Sequence, residues 1–232
     1  MSDDFPELFP IDFGQGQAPA AEPPKHGEVC GRCDFDVQPR CLRRNDIHVY
    51  RRAFSESKLL DILGREDLRP GCSYHCISGG DIDSLSYIKH ILRQQDLHYL
   101  LFSTWCMADD DVLQFGEWLR DGKIKRLDAY CGEIFPGSYA KQHRALMEVV
   151  RPYGGRVCIF RNHAKIYAGL GDGFPFAVES SANINTNPRT ENTTITIGRE
   201  IFDFYRQFFD GIKSYRRDFD DWSPWQEGAE ND

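Results

Sequence analysis

No run of about 18 uncharged apolar residues occurs in the 232-residue chain, and its first ten residues, MSDDFPELFP, are acidic where a secretory leader is basic. The sequence therefore supports neither a membrane span nor a signal peptide, and the expected compartment is the cytoplasm. Basic residues are absent from 218–232, which carry a formal charge of −6, and nearly absent from 1–28, which carry −5. With a net charge of −8, that leaves about +3 on residues 29–217. The acidity belongs to the ends, so a polyanionic partner such as nucleic acid is not excluded by charge. Without a secretion signal, the eight cysteines are expected to be thiols or metal ligands rather than disulfides.

Apolar residues are scarce in 1–28, where FGQGQAPAAEPPKHGE reads as a flexible Pro-rich, acidic tail. Residues 29–71 form an extension containing Cys and Arg. In it Cys30 and Cys33 have zinc-knuckle spacing, Cys41 follows, and His26 or His48 is available as a fourth ligand. The second close pair of ligands that usually completes such a site is missing, so a structural zinc stands beside free thiols as the two readings. Residues 218–232 read as an acidic C-terminal tail in which only Trp222 and Trp225 are suited to dock back.

Between 72 and 217 the pattern is regular. YHCIS, HYLLFS, IKRLDAY and GGRVCIF read as strands. Helices are expected between them: one capped by Asp81 with Ile82, Leu85, Ile88 and Leu92 on a face, and one opened by ADDD and ended by Gly122. A third is expected to be capped by Ser138. HAKIYAG, FAVES and TTITI then follow with no room for helices. An amphipathic helix over 199–217, bearing Ile201, Phe204, Tyr205, Phe208, Ile212 and Tyr215, closes the chain. The order predicts an α/β fold, a mixed sheet flanked by helices on both faces.

The polar residues of 162–197 fall at the ends of these last strands. His163 and Lys165, two positions apart, share a face in an extended segment. Ser181 and Asn183 follow the next strand, and Glu191 precedes the last. A nucleophile or general acid, a fixed cation and neutral donors suit a phosphate diester, with Lys165, Ser181 and Asn183 holding the non-bridging oxygens. Glu191 is positioned to hold the second ring nitrogen of His163 and set its tautomer. Asn185 and Arg189 are candidates for further phosphate contacts, with a solvated polar loop as the other reading of this stretch.

HAK, then SSAN, then RTEN before TTITI resembles the motif of the phospholipase D superfamily: His-x-Lys, usually with a following Asp, then Gly/Ser-Ser-x-Asn and Glu-Asn. The strand and helix order from Tyr74 to Tyr215 is similar to one half of that fold. The resemblance implies that His163 forms a phosphohistidine or acts as general acid, that Lys165, Ser181 and Asn183 bind phosphate, that Glu191 orients a histidine, and that catalysis needs no metal. It also implies two His-x-Lys motifs. A second one is lacking here, so a homodimer joining two copies of the motif is the implied architecture. Leu170 stands where the family's Asp is expected, and Ser180 where Gly is usual. A nuclease is expected rather than a lipase, because helix 199–217 reads as core packing instead of a membrane-facing surface. The other reading is a non-catalytic nucleic-acid or protein binding module that keeps the fold.

Metal analysis separates the two readings of the N-terminal cysteines. Near-stoichiometric zinc in the purified protein marks a site, and a content far below one equivalent leaves free thiols.

Overall fold

The computed structural model describes residues 47–63, 67–185 and 189–228. The 1–28 tail, Cys30, Cys33, Cys41 and His26 lie outside the described residues, as does the side chain of His48.

Seven strands form one mixed sheet: β1 Ser73–Ser78, β2 Leu97–Thr104, β3 Leu127–Gly132, β4 Val157–Phe160, β5 Ile166–Gly171, β6 Pro175–Ser180 and β7 Glu191–Ile197. Their spatial order is β1-β7-β6-β5-β2-β3-β4. β2, β3 and β4 run parallel, and every other pairing is antiparallel. Period-2 alternation sorts the strand residues to two faces. Leu100 and Phe102 of β2, Leu127, Ala129 and Cys131 of β3, and Val157 and Ile159 of β4 join one core cluster. Tyr99, Leu101, Tyr130 and Cys158 join another on the opposite face.

The helices divide in the same way. α1 (Ile47–Leu63), α2 (Ser84–Leu92), α3 (Asp109–Arg120) and α5 (Ala140–Val150) contribute Leu59, Ile88, Ile91, Phe115 and Leu146 to the first cluster. α4 (Phe135–Ser138) is a single turn leading into α5. α6 (Arg199–Asp210) covers the other face through Phe202 and Phe209, which are two turns apart. The fold is thus the mixed α/β sheet, covered on both faces, that the strand and helix order predicts.

Three local expectations are corrected. The residue before α2 is Asp83, not Asp81, and Asp83 N–H donates to Ser55 Oγ of α1 (2.6 Å). α5 begins at Ala140, because Ser138 is used up in the α4 turn. The closing helix stops at Asp210 rather than 217, and its inner face is Phe202 and Phe209 instead of Phe204 and Phe208, which are 61% and 59% exposed. Two aromatic stripes compete on this helix. The inner one is selected because Phe202 meets Tyr99 edge-on and Phe209 packs on Tyr130 at a centroid distance of 4.7 Å.

Trp222 and Trp225 do dock back. Trp225 stacks on Tyr99 at 4.9 Å, and Trp222 donates its indole N–H to Asp128 Oδ1 at 3.2 Å. Asp128, fully buried on this face, also accepts from Tyr99 Oη (2.9 Å) and the Arg156 N–H (3.0 Å). Asp210, at the end of α6, belongs to the same charged group. Its burial, reinforced by the charge of Asp128 and opposed by Arg206, Arg156 and Arg126, pushes its pKa from 3.8 to about 6.

A carboxylate whose folded pKa is raised adds stability that is fully present below its unfolded pKa and is lost as pH climbs through the folded value. Asp210→Asn should therefore match the wild type near pH 4 and exceed it above pH 6 by up to about 2–3 kcal/mol in urea unfolding. A pH-independent difference between the two proteins would show that Asp210 is not the titrating group.

Candidate active site

The end of β4 and the start of β5 lie on opposite sides of β3 and β2, so the chain must travel three strand spacings, about 14 Å, between Phe160 and Ile166. Six residue steps reach about 20 Å when extended. The link therefore passes nearly directly over the C-terminal ends of β3 and β2, where the sheet changes from parallel to antiparallel. His163 and Lys165 lie in this link, three residues and one residue before β5 rather than inside it. Switch points at strand C-termini are where open α/β sheets bind ligands.

Asn162 fastens the link. Its buried amide Nδ2 reaches Ser103 Oγ (2.9 Å), the Tyr130 carbonyl (3.0 Å) and the Thr104 carbonyl (3.2 Å), while its Oδ1 accepts the Ala164 N–H (3.0 Å). Ser103 Oγ donates to the Ala164 carbonyl (3.1 Å), and Glu133 Oε2 accepts the Asn162 N–H (3.3 Å). The result is an exposed His163 ring beside a buried Lys165.

Lys165 is 7% exposed, and its ammonium donates to the His163 carbonyl (2.7 Å) and to His163 Nδ1 (2.9 Å). Burial holds its pKa below the usual lysine value, against the opposing influence of Cys106 and Glu191. On the next strands, Ser181 Oγ donates to Glu191 Oε2 and accepts the Asn192 N–H (3.1 Å). Asn183 Oδ1 accepts the Trp105 N–H (3.3 Å), and the Trp105 ring lies 5.5 Å from the His163 ring. The 181–185 loop is tied to the chain after β2 by Ala108 N–H donating to the Ile184 carbonyl (3.0 Å).

His163, Lys165, Ser181, Asn183 and Glu191 thus gather at one edge of the sheet. Glu191 was expected to hold a ring nitrogen of His163; its carboxylate instead accepts from Ser181, and the Lys165 ammonium lies against the ring. Asn185 turns its amide to Cys106 Sγ (3.4 Å). Arg189 is exposed and makes no ion pair among the described residues. Asn162, Glu133 and Trp105 were not legible as site residues. A lone Asn, an acid after a strand and an aromatic at a strand end are common features, and only the crossover brings these three together. No cluster of three His, Cys, Asp or Glu side chains able to hold a metal occurs among the described residues, and no described helix is long and apolar enough to cross a membrane.

No family model matches this chain, and no curated protein does. Among solved structures, the crystal structure of polyphosphate kinase from Porphyromonas gingivalis is similar at 17% identity with a TM-score of 0.45. The match covers 68% of this chain and 27% of that one, so the chain spans about a quarter of that protein. The molecule is accordingly described by its own features: a mixed α/β layer protein with a cationic, hydroxyl- and amide-lined site at its sheet edge.

The Asn162 side chain serves four polar groups at once, so removing it strands several buried ones. Asn162→Ala should lower the unfolding free energy by about 2–4 kcal/mol. Asn162→Asp, which keeps the acceptor and loses the donors, should cost at least as much. Denaturant titration that finds either variant within about 0.5 kcal/mol of wild type would remove the clamp from the account.

Proposed function

We propose that this site cleaves phosphodiesters without a metal, by way of a phosphohistidine, that its substrate is nucleic acid, and that two copies of the chain combine to complete it. The observation that carries the reading is the exposed His163 imidazole on the Lys165 ammonium, beside the Ser181 and Glu191 pair. The motif resemblance to the phospholipase D superfamily supports the same chemistry.

The Lys165 ammonium lies against the His163 ring, 2.9 Å from Nδ1 and 3.4 Å from Nε2. A diester's anionic oxygen is the stronger acceptor, so substrate draws Lys165 off the ring and leaves a neutral imidazole that attacks with its proton on Nδ1 and its lone pair on Nε2. The Nε2 lone pair then attacks phosphorus, the P–N bond forms, and the P–O bond to the leaving group breaks. The leaving oxygen takes its proton from the imidazolium of the second copy's site. Water next attacks phosphorus, gives its proton to that now neutral imidazole, and the P–N bond breaks to restore His163. Lys165 and the Ser181 and Asn183 groups stabilise the charge that gathers on the non-bridging oxygens.

Leu170 in place of the motif's Asp does not empty this site. It lies four residues along β5 from Ile166, about 13 Å from the site end, packed in the apolar cluster under α6. The preference for nucleic acid needs a different support from the one the sequence suggested, because α6 does expose Phe204 and Phe208. It rests instead on the mildly basic body and on exposed Arg161 and Arg189, each two residues from a site residue.

The test is cleavage of single- and double-stranded DNA and RNA, and of phospholipid vesicles, in excess EDTA. Nucleic-acid cleavage is expected to persist in EDTA and to fall by about 10⁴-fold or more in His163→Ala. Lys165→Ala should lose about 10²–10³-fold. Light scattering at micromolar concentration should report a dimer. Activity retained in His163→Ala, or a monomer, overturns the mechanism. Binding of nucleic acid with no cleavage assigns the protein to the non-catalytic reading.

A further inference from the structure

Among the described residues, Trp105 is the one large aromatic side chain in contact with the ring of His163, and neither the motif nor the phosphate chemistry has a use for it. It follows β2 directly, at the end of a strand whose other aromatics, Tyr99 and Phe102, are wholly buried, yet it is only half-buried itself. Its ring plane is tilted 50° from the His163 ring at a centroid distance of 5.5 Å, so the two rings are not stacked and do not use up each other's faces.

The placement of this ring is built in. Asn183 Oδ1 accepts its backbone N–H. Gly132, at the end of β3, leaves the space the indole occupies: a Cβ on Gly132 would lie 2.8 Å from Trp105 Cδ1 and 3.2 Å from the Asn162 carbonyl. A surface tryptophan that merely covered apolar chain would not need a glycine beneath it and a site amide at its backbone. Arg161 and Arg189 are exposed, and each is two residues along the chain from a site residue.

We propose that Trp105 is a base-stacking platform next to the scissile phosphate, and that the protein therefore binds single-stranded nucleic acid. This deepens the functional reading and rests on it for the position of the phosphate. Stacking on an indole requires a base whose face is free, which a duplex does not offer, and it tolerates any sequence because every base has such a face. A phospholipid headgroup has no flat ring to place there. Trp105 in this role is a positioning residue: it fixes the register of the strand relative to His163 and takes no part in proton or phosphoryl transfer.

Binding is measured in EDTA in the His163→Ala background, where nothing is turned over. The probes are an oligodeoxythymidylate of about 12 nucleotides and an abasic oligomer of equal length. The thymidylate should quench the intrinsic fluorescence of His163→Ala, and the quench should vanish when Trp105→Phe is added, since the other three tryptophans remain. Trp105→Ala should weaken thymidylate binding by about 5- to 100-fold and leave the weak abasic binding unchanged. Gly132→Ala, which crowds both the ring and the Asn162 carbonyl, should weaken thymidylate binding in the same direction, with folding of each variant checked by denaturant titration.

The proposal is overturned if Trp105→Ala binds the thymidylate within twofold of its parent, if the quench persists in the Trp105→Phe protein, or if the abasic oligomer binds as well as the thymidylate. These outcomes are distinct from failure of the catalytic reading. Quenching that depends on Trp105 in a protein that cleaves nothing keeps the platform and removes the enzyme. Cleavage that depends on His163 with no role for Trp105 does the reverse.

Discussion

The short link between β4 and β5 constrains everything at the sheet edge. Because β5 pairs with β2 and not with β4, the chain has six residue steps in which to pass over two strand ends. Passing there covers carbonyls that would otherwise meet water, and Asn162 compensates by supplying an amide to Thr104 and Tyr130. A buried polar side chain is stabilising only when its groups are all met, and Asn162 is fully engaged at both ends. With Asn162 pinned, the next residue has to point outward and the one after Ala164 has to turn in. The contrast between an exposed His163 and a buried Lys165 follows from that single anchor.

The burial of Lys165 has a chemical consequence. An ammonium at the surface is strongly hydrated and weakly directional, whereas one that is 7% exposed and bonded to a backbone carbonyl holds its position before substrate arrives. Its lowered pKa is the cost of that position, and the nearby charge of Glu191 limits it. The pair of Ser181 and Glu191 is likewise set before binding, since Ser181 receives the Asn192 N–H from the strand that carries Glu191. On the far face the same logic holds Asp128, whose carboxylate is met by Tyr99, Arg156 and Trp222. β3 is therefore gripped on one face by a buried acid and at its end by a buried amide.

How much of this was readable from residues alone depends on the range of the interaction. The strands were legible because each carries its own alternation. The grouping of His163, Lys165, Ser181, Asn183 and Glu191 was legible because strand ends collect at a sheet edge whatever the order of strands. The stop of α6 at Asp210 and its inner stripe were not, because Phe204 and Phe208 have the same spacing as a buried stripe and only Tyr99 and Tyr130, far away in sequence, decide between them. The partner of Glu191 was misread for a related reason. Spacing placed it near His163, but Ser181 is nearer along the hydrogen-bonded β6–β7 edge and the Lys165 ammonium was already at the imidazole. Trp105 escaped notice because its meaning depends on a missing Cβ at Gly132, which no local pattern records.

On the proposed mechanism, a single imidazole at this site would leave one copy an incomplete catalyst. Forming the P–N bond uses the lone pair of His163, and from then on that ring cannot protonate the departing oxygen. The other described histidines lie elsewhere: His98 with Asp172 at the opposite end of β2, His90 on α2 with Gln94, His75 with Thr194 on the edge strand, and His143 buried on α5. Lys165 has a proton, but giving it up would remove the charge that holds the phosphate at the moment the charge is needed. A second imidazole, free of the covalent bond, resolves that conflict. A twofold arrangement supplies one from the same gene by placing the two sheet edges face to face. Such an arrangement makes the roles interchangeable between copies, so that which histidine attacks is decided by the direction in which the strand lies across the pair.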